Sequence, residues 1–151
     1  MFDINSIRKD KSRSESGVEV DCGGGLFLTV AWNRNPRAQA VRQQLIAKNP
    51  ILKRAVREDG FHKVDPKLLE ELNVEVQAST ILLGWRGLSD GGKEVPYSVE
   101  KAKEYLRDVE EFRDLVTRLS QDDELFKQDS TAANAENLKK TSSGASSGAT
   151  K

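Results

Sequence analysis

The stretch from Thr80 to Phe126 constrains this chain most. It passes from an apolar block, Ile81-Leu82-Leu83-Gly84-Trp85-Arg86-Gly87-Leu88, through the polar loop Ser89-Asp90-Gly91-Gly92-Lys93-Glu94, and back into apolar sequence at Val95-Pro96-Tyr97. Ser98 then stands where a helix N-cap belongs, ahead of Val99, Ala102, Tyr105 and Leu106 at helical spacing. Gly84 and Gly87 let the backbone turn on either side of Trp85, so the indole is expected as a structural anchor. From Tyr105 the apolar positions Tyr105, Val109, Phe112, Val116 and Leu119 advance by alternate fours and threes, with a restart expected at Asp108 as an acidic cap. That stripe either faces the domain's own core or lines a groove for a partner helix, and Val109, Phe112, Val116 and Leu119 are the candidate partner-binding residues. The pattern is that of a docking unit, with no catalytic signature.

The segments before it supply the remaining elements. Residues 1–16 are mostly polar and without period, and are expected as a flexible N-terminal arm. Val18 and Val20 alternate with Glu19 and Asp21, Gly23-Gly24-Gly25 makes a tip, and Leu26, Leu28 and Val30 alternate again, so 17–32 reads as a β-hairpin ending on a second anchor, Trp32. A lone hairpin is marginal and must pack on the helices that follow. Asn35-Pro36 starts a helix that Asn49-Pro50 stops, a short helix covers 51–58, and Asp65-Pro66 opens a third expected to run to about Leu83. The fold expected is mainly α with a small N-terminal β-hairpin: one helical domain over 17–128 and a disordered tail or linker over 129–151, where Ser, Thr, Ala, Asn, Gly and Lys dominate.

Charge excludes some functions and leaves others open. The formal net charge is zero, with mean hydropathy −0.61, so the whole chain offers no electrostatic reason to bind nucleic acid or an anionic membrane. Locally, residues 34–63 hold eight basic side chains against two acidic, and 90–129 hold twelve acidic against seven basic. The basic segment reads as a solvated helix face or as a docking surface for an acidic partner, and the two segments are complementary in sign within a chain or between copies. The glycine triplet lacks the lysine and the following helix of a phosphate-binding loop. The single Cys22 and single His62 give no disulfide, metal set or nucleophile–base pair, so neither an enzyme nor a cofactor is expected. No apolar run is long enough to span a membrane, and no signal-peptide core follows Met1, so a soluble cytosolic protein is expected.

In order and spacing, the hairpin ending at Asn33-Arg34-Asn35-Pro36, the Ile81–Leu88 block, the loop into Val95-Pro96-Tyr97-Ser98 and the helix from Glu111-Phe112 to Phe126 together resemble the tail assembly chaperones of long-tailed bacteriophages, over roughly Gly17 to Asn137. The resemblance implies a mainly helical, non-catalytic protein of the host cytoplasm that is absent from the mature virion. It would bind the tape measure protein, keep that long apolar-striped helix soluble and give way as tail tube subunits polymerise. It also implies a longer form, made by programmed frameshifting in the tail, that recruits the tail tube protein; a homo-oligomer is compatible with it. The rival classes are a structural tail or head-completion protein of the virion and a small nucleic-acid-binding regulator.

Overall fold

The computed structural model describes residues 1–58 and 60–128, and in it the period-two alternation of the first segment becomes strands β1 (Val18–Gly23) and β2 (Leu26–Val30). They pair antiparallel, with Val18 opposite Val30 and Val20 opposite Leu28, so these four apolar side chains share one face. A third strand, β3 (Leu82–Arg86), pairs with the other edge of β2 and sets Leu28 opposite Trp85 and Val30 opposite Leu82. The opposite face carries Glu19, Phe27, Thr29 and Arg86; the Arg86 guanidinium lies 3.8 Å from the centre of the Phe27 ring and forms a 2.9 Å ion pair with Glu19.

This sheet corrects the expected fold class. The molecule is an α+β structure with a three-stranded sheet, not a mainly α domain carrying only a hairpin. The discrepancy arises at one place. Helix α4 (Pro66–Val76) does not continue to Leu83; it passes into a π turn, Gln77–Ile81, and then extends into β3. Within that turn the Ser79 and Thr80 hydroxyls donate to the carbonyls of Glu75 and Val76, at 2.6 and 2.7 Å, which loosens the regular helical ladder. The apolar run Ile81-Leu82-Leu83 fits a helix stripe and a buried strand equally well, and sheet pairing with β2 decides between them.

The remaining helices follow their caps. Asn35 caps α2 (Pro36–Lys48), and α3 (Pro50–Glu58) follows directly. Ser98 caps α5 (Val99–Asp108) by accepting from the Lys101 N–H, and α6 (Glu110–Ser120) comes next. A two-strand ribbon, β4 (Ser89–Asp90) and β5 (Lys93–Glu94), turns at Gly91-Gly92. The principal core joins Leu28, Val30, Leu82 and Trp85 of the sheet to Ala38, Val74, Val76, Ala102, Leu106 and Val116 of the helices. A satellite core holds α3 through Leu52 and Ala55 against Val64, Leu68, Leu69 and Leu72.

Residues 8–16, expected within a flexible arm, are held against the end of the domain. Asp10 caps a short helix α1 (Lys11–Ser16), its own N–H donates to the Phe126 carbonyl at 2.7 Å, and the Gln128 N–H donates to Arg8 at 2.7 Å. Phe126 and Leu125 fill a third cluster with Val18 and Val20. The polar sequence hid this because backbone groups and the charged side chains of Lys9 and Arg13, and not apolar side chains, make the attachment. The tail expected to be disordered, 129–151, lies outside the described residues. Among the described residues no helix is long and apolar enough to cross a membrane.

Candidate functional site

Trp85 is brought by β3 to the end of the core, where its Nε1 donates to the Val95 carbonyl at 2.7 Å and only 9% of its surface is exposed. Tyr97 meets the indole edge-on at 4.9 Å between centroids, and its hydroxyl donates to the Leu82 carbonyl at 2.8 Å. Phe112 stands edge-on to Trp85 at 6.3 Å, and Tyr105 lies 6.1 Å from Trp85 and 6.5 Å from Phe112. Such tilted and edge-to-face pairs add attraction beyond their buried area, so strand, loop, α5 and α6 are locked together by one aromatic cluster. Burial pushes the Tyr97 hydroxyl above the ordinary phenol value. Tyr105 is shifted the same way, first by desolvation and then by its 2.9 Å bond to the Asp90 carboxylate.

Beside this cluster opens a cleft of about 230 Å³, lined by Leu88, Ser89, Asp90, Tyr105, Val109 and Phe112. Its floor is apolar and aromatic; its polar side is supplied by the β4 residues Ser89 and Asp90. Val109 is the most telling member. It is at once the last residue bonded into α5, through its N–H to the Tyr105 carbonyl at 2.9 Å, and the N-cap of α6. An N-cap wants Ser, Thr, Asp or Asn, whose side chain closes a free backbone N–H; here no side chain caps the helix, and the valine is 44% exposed. Asp108, expected as the cap, is the final residue of α5 instead.

The four residues of the expected partner-binding stripe are therefore separated. Val116 is 0% exposed and belongs to the principal core, and Leu119 is half-buried between two clusters. The break between α5 and α6 at Val109 gives that side chain a different outlook from the rest. Phe112 contributes one side to the aromatic cluster and another to the cleft, which leaves Val109 and Phe112 as the pair on the surface of interest. Trp85 is central, and Trp32 is half-buried, with its Nε1 donating to Asp123 at 3.0 Å and the Lys9 ammonium 5.1 Å from the centre of its ring. Leu88 and Tyr105 were legible only as an apolar residue after Gly87 and the first member of the stripe. Asp90 as a cleft wall was not legible at all.

His62 is exposed on a short 3₁₀ turn, and Cys22, in β1, donates its thiol to the Val20 carbonyl at 3.6 Å. Among the described residues no group of three or more His, Cys, Asp or Glu side chains could hold a metal. No curated protein and no solved structure matches the chain. The sequence model of one family, described as YdaY prophage protein, matches residues 36–137, from the first residue of α2 to beyond α6 and so across every residue of the cleft.

Proposed function

The chain belongs to the YdaY prophage protein family, and from that premise we propose that it is a phage tail assembly chaperone whose cleft at the α5–α6 junction takes an apolar helical stripe of the tape measure protein. The observation that carries this reading is Val109, a branched apolar side chain left exposed at a helix N-cap where a polar residue would stabilise the fold. Sacrificing a cap in order to present a methyl-bearing surface beside Tyr105 and Phe112 suits a binding role. A very long helix with an uncovered apolar stripe would aggregate in water, and several chaperone copies along it would cover that stripe. The ordered likeness of the Ile81–Leu88 block, the Val95–Ser98 re-entry and the following helices to tail assembly chaperones supports the same reading. With it come the proposals that the protein works in the host cytoplasm, leaves before the virion matures, and reaches the tail tube protein through a frameshifted longer form.

Co-expression with the tape measure protein of the same prophage tests the reading. The client is expected in the soluble fraction with the wild-type chain and in the pellet without it. A client that remains insoluble beside abundant wild-type chain refutes the chaperone function. Recovery of the chain as a stoichiometric component of purified particles would favour a structural tail protein instead.

A further inference from the structure

A second concavity, of about 280 Å³, lies where α2, α4, the π turn and α6 meet, and it is polar where the aromatic cleft is not. Its wall includes Arg42, Asn73, Gln77, Arg113, Asp114 and Thr117. Arg42 is the anomaly. It is half-buried on α2, one of its five N–H groups is bound to the Asn33 carbonyl at 3.0 Å, and among the described residues no carboxylate lies within ion-pair distance of it. Desolvation lowers its pKa with no acidic neighbour to offset it. Arg113, by contrast, is matched: Glu70 stands at 2.8 Å and the Leu106 carbonyl at 2.9 Å. Gln77, at the head of the π turn, donates to the Thr117 hydroxyl at 2.7 Å, while its Oε1 is buried with no hydrogen-bond partner among the described residues. π turns of this kind recur at functional sites because they open a helix locally.

We propose that this cavity binds a carboxylate group, taken by the free face of the Arg42 guanidinium with the Asn73 amide as a neighbouring polar group. A planar fork of donors fits a carboxylate in two-pronged fashion, and such charge-assisted bonds are about twice as strong as neutral ones. Arg113 is already matched by Glu70 and Asp114 is acidic, so Arg42 is the single cation of the lining left for a ligand, which suits a monoanion and disfavours a phosphate dianion. The volume admits a small acid or one acidic side chain and excludes a nucleotide. The site is separate from the Val109 cleft and does not depend on the chaperone reading.

Nitrogen-15 spectra of the full chain, titrated with sodium acetate and with sodium chloride at equal ionic strength, test this through the Arg42 Nε–H resonance. Acetate is expected to shift it saturably and chloride is not. Arg42→Gln is expected to weaken acetate binding by about tenfold or more, read from the backbone amides of Gln77 and Thr117. Arg42→Lys, which keeps charge but loses the fork, should melt like the wild type and still bind at least ~5-fold more weakly. A short terminally blocked peptide with one glutamate, beside its glutamine counterpart, separates the two sources: saturation by the glutamate peptide identifies a protein-borne carboxylate, and saturation by acetate alone a free acid. Shifts no larger than those of chloride, or equal acetate binding by a folded Arg42→Lys, would overturn the proposal.

Discussion

Two buried or crowded positions carry more of the fold than their residue types suggest. Asn35 is 0% exposed, and its side chain is fully used: Oδ1 accepts from the Ala38 N–H at 3.0 Å, while Nδ2 donates to Trp32 and Thr80 carbonyls at 2.7 and 3.3 Å. It ties the exit of the hairpin, the start of α2 and the π turn together. Asn35→Ala should cost about 2–3 kcal/mol in urea unfolding, a lost cap plus orphaned carbonyls. Asn35→Asp should not restore it, since the acceptor is kept but both donors are lost and a charge is buried. Gly87 has φ +77 and a Cβ there would sit 1.9 Å from the Gly25 carbonyl oxygen, whereas Gly91 has φ +61 and open space around it. Gly87→Ala is expected to cost about 2–4 kcal/mol and Gly91→Ala about 1 kcal/mol, so equal losses would show that the hairpin tip yields to the clash.

At the scale of elements, caps were the most readable part of the sequence. Pro36, Pro66 and Ser98 mark the starts of three helices as read, because a cap or a first-turn proline acts through neighbours in the chain. What could not be read needed partners distant in sequence. The strand identity of Leu82–Arg86 depends on β2, and the inward turn of Val116 against the outward turn of Val109 depends on a break between helices whose apolar spacing continues across it. The cleft was legible through Phe112 and Val109, and its opposite wall was not, since Ser89 and Asp90 look like any turn. Helix α4 also meets the next helices through acids: Glu70, Glu71 and Glu75 pair with Arg113, Arg107 and Lys103. The 2.8 Å bond from Arg107 holds the Glu71 carboxyl below the ordinary glutamate value. A folded pKa lower than the unfolded one stabilises above the unfolded value and is lost as pH falls through the folded one. The melting-temperature gap between wild type and Glu71→Gln should therefore shrink on acidification, and in high salt, because the pair is about half exposed. A gap that widens in acid would show that Glu71 acts by some other contact.

Across the whole molecule, the two ends of the described chain close on each other, and the cleft at the α5–α6 junction shares no lining residue with that closure. Removing residues 1–7 should leave the melting temperature nearly unchanged, as their large apolar side chains are exposed. Removing 1–16 takes away the bonds to Phe126 and Gln128 and should destabilise in the manner of Phe126→Ala, about 3–5 kcal/mol. Equal melting of both truncations would mean that α1 is passive. The central claim rests on Val109, and the affinity of the purified chain for fluorescent helical segments of the tape measure protein tests it most directly, comparing wild type with Val109→Ser. Serine supplies the missing cap, so the variant is expected to be more stable by about 0.5–1.5 kcal/mol while binding about tenfold or more weakly. Undiminished binding by a stabilised Val109→Ser chain would contradict the assignment of the cleft.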